Sequence, residues 1–323
     1  MKPGIRPPGS AVFLVLALAV IWPAVTAAAP VFSAAELPAV PAPLAARGLL
    51  LGVARAGDRL VAVGDQGVIV TSDDQGRTWS QVDVPVSTFL TTVSFADAQH
   101  GWAAGHQGVI LRTSDAGRTW VRVPVAVEED ASFLDLLALA PDRVLAAGAY
   151  GLLMRSGDHG DTWEKLASPA GDLHLNGLSR DRDGGILLAG EGGTLAVSRD
   201  DGTSWTVLPA PYDGSFYGLR RLASGRLLAH GLRGHVYTSD DDGATWSGAA
   251  IGPPVLLMSA VEIRPGLIVS AGLGGHLFVS HDNGTTFAHL QPAGLNGTAA
   301  MVAAGDGALI AAGESGVQRV ELR

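Results

Sequence analysis

The chain has 323 residues, 47% of them hydrophobic and 16% charged, with a formal net charge of −9. That acidic balance excludes a general nucleic-acid binder, because phosphate affinity needs a basic footprint. Cysteine is absent, which excludes disulfides, thiolate nucleophiles and cysteine-based zinc sites.

Residues 1–28 read as a signal peptide. Lys2 and Arg6 give a positive start, Ala11 to Trp22 is an apolar run, and Val25-Thr26-Ala27 offers small residues for cleavage. The run is shorter than the roughly 20 residues a membrane-spanning helix needs. The remainder, 29–323, is therefore expected to be exported, to a periplasm, with secretion as the alternative.

From the first expected strand, Leu49 to Arg55, the motif Gly-x-x-Gly recurs seven times, opening at Gly64, Gly105, Gly148, Gly190, Gly231, Gly272 and Gly313. Successive spacings are 41, 43, 42, 41, 41 and 41 residues, and a fixed period of this size marks a repeat architecture. Unit two reads as four short strands, Leu90 to Ala96, Gly101 to Gly105, Val109 to Thr113 and Trp120 to Val125. Four strands per repeat with turns between them make a propeller blade. The expected fold is all-β, a seven-bladed β-propeller of four-stranded blades. The seventh unit carries no fourth strand. The segment Val31 to Ala42, with Pro38 and Pro41, is expected to complete blade seven as an edge strand and close the ring.

Six units carry a second motif, Ser/Thr-x-Asp-x-Gly-x-Thr/Ser-Trp/Phe, the Asp box. Its carboxylates are Asp74, Asp115, Asp158, Asp200, Asp241 and Asp282, and five boxes end in Trp79, Trp120, Trp163, Trp205 and Trp246. Asp and Ser/Thr side chains accept from nearby backbone amides, and glycine supplies the positive φ of the turn. The box is therefore expected to be structural. The run Asp240-Asp241-Asp242-Gly243 lacks the downstream Glu of a calcium loop, and no cofactor or metal is expected.

Counting back ten residues from each Gly-x-x-Gly gives one slot on every inner strand. It holds Ala54, Phe95, Ala138, Arg180, Arg221, Glu262 and Ala303, with Arg220 beside it. Arg180, Arg220, Arg221 and Glu262 form a candidate carboxylate- or anion-recognising patch, expected on the rim opposite the Asp boxes or in the channel mouth. The alternative is an Arg–Glu ion-pair network at a strand end. His235 and His276 follow the glycine motif in adjacent units and His106 lies inside another; neighbouring sheets hold such positions too far apart for one ion. Glu128, Glu129 and Asp130 form an acidic run that suits a solvated loop or a basic partner.

Gly-x-x-Gly, an apolar strand and the Asp box, repeated after an export signal, resemble the photosystem II assembly/stability factor family of Asp-box propellers. The resemblance spans essentially all of residues 31–323. It implies a non-catalytic scaffold, in the thylakoid lumen where the organism is a phototroph, that binds a membrane protein or its assembly intermediate; a monomer that meets the membrane only through that partner is expected. It also implies a binding arginine before each Asp box, and here only Arg112 and Arg155 hold that place. The competing class is an Asp-box glycoside hydrolase, sialidase-like, or a carbohydrate-binding propeller. Against it, no Arg-Ile-Pro occurs, the nearest string being Ile263-Arg264-Pro265. Tyr150 and Tyr217 have no evident Glu partner, and Asp65, Glu191 and Glu314 are spread over different units.

Overall fold

Alternation of apolar and small residues along each repeat produces short strands. The computed structural model describes residues 1, 33–249 and 251–322. The segment read as a signal peptide lies outside the described residues beyond Met1, as do Val31 and Phe32. Blade one is Leu50–Ala56, Arg59–Gly64, Ile69–Ser72 and Ser80–Gln81, each strand antiparallel to the last. Five more four-stranded sheets follow, then a seventh of three strands, Thr298–Ala303, Leu309–Gly313 and Gly316–Val320. Within unit two the strands fall at Leu90–Phe95, Gly101–Gly105, Ile110–Thr113 and Val121–Val123, every boundary within two residues of the sequence expectation. Among the described residues no helix is long and apolar enough to cross a membrane.

The core is a series of clusters between neighbouring blades. Val61 and Val63 of blade one meet Ala103 and Leu111 of blade two, and Trp102 of blade two meets Val144 and Ala146 of blade three. Second strands are the most buried because both of their faces are covered; Arg59–Gly64 is buried throughout. The first glycine of the repeat motif sits in extended backbone, as at Gly272 with φ −172°. A Cβ there would overlap the carbonyl of Leu256, so this glycine is required by close approach. The second glycine has the positive φ, 69° at Gly67.

Ring closure differs from the expectation. The described part of the predicted closing strand, from Ser33 to Ala42, forms no strand and does not pair with Gly316–Val320. It runs beside the loop that leaves blade one: Ala39 N donates to Val84 O at 2.9 Å and Ser87 N to Ala34 O at 2.8 Å. Ala35, only 4% exposed, packs into the cluster between blades one and two. Pro38 and Pro41 cannot donate to a ladder, and the amides around them already have partners on blade one. The seam between blades seven and one is closed by side chains. Leu60 packs with Ala304, Ala308 and Ile310, and Arg77 pairs with Asp306 at 3.2 Å.

Candidate functional site

Each Asp box folds the same way. In the second, Asp115 accepts from Thr119 N at 2.9 Å, Thr119 Oγ1 at 2.7 Å and Thr113 Oγ1 at 2.8 Å. The boxes also bind each blade to the one before it. Trp120 fills the gap between blades one and two, Trp163 that between two and three, and Trp205 that between three and four. The residue before the box glycine is left-handed in all six boxes, with φ from 54° to 62°.

The carbonyl of that left-handed residue accepts an arginine from the preceding blade in five cases. Arg112 donates to His159 O at 2.5 Å, Arg155 to Asp201 O at 3.3 Å and Arg319 to Gln75 O at 2.8 Å. Arg59 and Arg226 reach Ala116 O and Asn283 O from the second-strand side, at 3.4 and 3.3 Å. Arg155 also bonds Thr203 Oγ1 at 2.6 Å and Glu164 at 2.8 Å. Arg112 and Arg155, expected as binding residues, each reach across to the following blade. The acidic run of the fifth box is likewise engaged: Asp240 pairs with Arg226 at 2.7 Å and Asp242 with Arg221 at 2.7 Å.

The four charged slot residues do not converge. Six of the slots are equivalent by pairing register, but in blade one it is Arg55 that faces Leu60, and Ala54 lies one residue early. Arg180 donates to the carbonyls of Ala138 and Leu139 in blade three. Arg221 is ion-paired with the buried Asp181 of blade four, whose carboxyl desolvation raises and the arginine lowers, for a net decrease. Glu262 accepts from Ala223 N at 2.7 Å and Gly266 N at 3.1 Å, and among the described residues no Arg–Glu bridge forms at this slot. All three sit at the turn between first and second strands, the same rim as the Asp boxes. The expectation of the opposite rim is corrected for them. Arg220 alone points elsewhere, into the central channel.

That channel cavity, about 330 Å³, is lined by inner-strand residues from all seven blades. The acid in its lining, Asp135, joins three blades: Thr92 Oγ1 donates to it at 2.7 Å from blade two and Leu178 N at 2.7 Å from blade four. Burial raises its pKa to about 6 against those hydrogen bonds. Tyr217 lines the same cavity. His235 stacks on Tyr237, and His276 Nδ1 lies 2.8 Å from His289 Nε2. His106 lies against Phe89, so each of these histidines is engaged by residues other than one another. Glu191 pairs with His174 at 3.3 Å and Glu314 accepts from Gly297 N at 3.3 Å, both within turns.

The other rim, formed by the Gly-x-x-Gly turns and the loops between blades, carries the exposed aromatic groups. Tyr150 is 79% exposed at φ 53° and packs edge-on against His174 at 5.0 Å. The same left-handed backbone recurs at the equivalent Gln66, Gln107 and Arg233, so it belongs to the repeat turn, and what sets Tyr150 apart is its exposed aromatic ring. It borders a groove of about 420 Å³ with Val127, Glu128, Asp130, Met154 and Lys165. Sequence reasoning singled out Tyr150 and the Glu128–Asp130 run separately and missed the groove they border, because the loop from blade two that forms its other wall has no motif.

A seven-bladed ring whose Asp boxes and arginines bind blade to blade, leaving one rim and the channel open, is an Asp-box propeller of the BNR type. The chain belongs to the photosynthesis system II assembly factor YCF48 family, whose model matches residues 70–250. No curated protein matches the sequence significantly. Among solved structures, YCF48 bound to a D1 peptide is 20% identical with a TM-score of 0.71, covering 86% of this chain and 94% of that one. YCF48 from Cyanidioschyzon merolae is 17% identical with a TM-score of 0.69, covering 86% and 96%. A GH74 xyloglucanase from Xanthomonas campestris is 17% identical with a TM-score of 0.68, covering 84% of this chain and 51% of that one. At these identities the structural likeness shows the fold alone.

Proposed function

We propose that the chain is an exported, non-catalytic scaffold that holds an extended segment of a membrane protein while a photosystem II-type complex is assembled. Family membership supports the class of function. The observation that points to a place on the molecule is Tyr150, an exposed aromatic beside a groove with apolar walls and charges of both signs. Rigid aromatic groups at such positions are common anchors for peptides.

The test is fluorescence anisotropy with a labelled peptide of the D1 protein, the ligand present in the first YCF48 structure. The intact chain is expected to bind at micromolar concentration, and Tyr150→Ala to weaken binding about tenfold. Absence of binding by the wild type would sink the reading. Turnover of a sialoside or a xyloglucan by the purified chain would establish the glycosidase class in its place. The export component predicts a mature N-terminus after Ala27 or Ala28, read by mass spectrometry of the periplasmic fraction.

A further inference from the structure

Nearly every polar group on the channel wall is engaged. Thr91 donates to Phe133 O at 2.8 Å, Asn176 to Phe216 O at 2.9 Å, and Ser259 accepts from Met301 N at 3.2 Å. These bonds stitch each inner strand to the next. At the positions equivalent to Arg220, Ser179 donates to Leu219 O at 2.6 Å and Ser94 accepts from Ala138 N at 3.2 Å. Arg220 makes no such bond. Among the described residues it has neither a hydrogen bond nor an ion pair, although it lines the cavity. Glu262, the acid whose charge acts on it, is committed to the amides of Ala223 and Gly266. Tyr217, on the same strand and lining the same cavity, also has a hydroxyl with no partner among the described residues.

An arginine on a partly dehydrated wall keeps its charge, and because the charge of Glu262 only partly offsets its burial, an incoming anion would stabilise it. His230 lies behind it, fully buried, its pKa pulled down to about 3 by burial and then by Arg220. The imidazole is therefore neutral at physiological pH and does not compete for an anion. The guanidinium fork matches a planar carboxylate in bidentate fashion, and a phenol adds a third donor. The Asp135 carboxyl in the same cavity and the net charge of −9 oppose a polyanion such as phosphate.

We propose that Arg220 and Tyr217 form a carboxylate-binding site in the central channel. The carboxylate belongs either to a small organic acid or to the C-terminus of a peptide entering the mouth. The site is separate from the Tyr150 groove, so the failure of either leaves the other standing.

Calorimetric titration, with NMR observation of the arginine Nε–Hε signals, tests the site. The probes are succinate, a neutral pentapeptide with a free C-terminus, the same peptide amidated, and inorganic phosphate. Succinate or the free-acid peptide is expected to bind and to shift the Arg220 signal. Arg220→Gln should weaken that binding tenfold or more and Tyr217→Phe severalfold, the range for charge-assisted and neutral hydrogen bonds. Binding of the free-acid peptide without succinate assigns the site to peptide ends, and binding of both assigns it to carboxylates at large. Because Arg220 holds no bond, Arg220→Gln should melt with the wild type, so a binding loss reports the site. An Arg220 signal unmoved by every carboxylate probe, phosphate or amidated peptide binding as tightly as the acids, or full affinity in Arg220→Gln would overturn the proposal.

Discussion

At the residue scale, two buried titrating groups oppose each other. His230 has a folded pKa near 3 against an ordinary 6.5. The unfolded chain therefore binds its proton first, and stability present above pH 6.5 is lost as pH falls toward 3. Asp135 has a folded pKa near 6 against an ordinary 3.8. Here the folded chain binds the proton first, so stability rises as pH falls through 6 and is lost again on the way back up. Each effect is worth about 1–2 kcal/mol between pH 7 and 5, and they largely cancel. The melting temperature of the wild type is expected to change little over that interval. His230→Leu should make it rise on acidification and Asp135→Asn should make it fall, as followed by circular dichroism. The same sign for both variants would contradict the pairing. Below pH 4 a third limb begins. Asp158 and Asp241 are held near 2, first by the hydroxyls of Thr162 and Thr245, so their contribution is lost as pH falls through that value.

At the element scale, blade seven has three strands where the others have four. Its last strand, Gly316–Val320, pairs on one side only among the described residues. Amides of Gln318 and Arg319 are expected to exchange with deuterium faster than those of the corresponding Leu111 and Arg112, whose strand is covered by Val121–Val123. Equal protection would mean that this edge is covered. The repeat itself was fully legible in sequence, because glycine spacing reports turns, and turns fix strands. Partners were not legible. Residues that alternate along a strand face opposite neighbours, so Arg220 and Arg221 were sure to diverge, but sequence does not say that only Arg221 would meet an aspartate. The one-residue error at Ala54 has a local cause. The first turn of blade one holds Gly57 at φ 63° and is a residue shorter than the rest. The N-terminal segment misled for another reason: its prolines fit an edge strand, but they fit a packed coil equally well.

At the scale of the whole molecule, a closed ring gives every blade two neighbours, so opening one seam exposes apolar surface on both sides. The side-chain seam between blades seven and one is the most direct place to test this. Ile310→Ala, in the fully buried cluster with Leu60 and Ala304, is expected to cost about 3 kcal/mol. Calorimetry should show one transition moved to lower temperature by several degrees. A separate early transition for the last blade would show that the ring does not melt as a unit. The first glycine of each repeat motif has a consequence for variation. Side chains are barred there by a facing carbonyl, while the two residues after it differ in type, from Asp65-Gln66 to Ala149-Tyr150 to Glu314-Ser315, the second being left-handed in six of the seven turns. The ring therefore presents seven dipeptides on a fixed frame. Such a surface can be rewritten for a new ligand by randomising those pairs while the glycine positions, and the fold they enforce, stay constant.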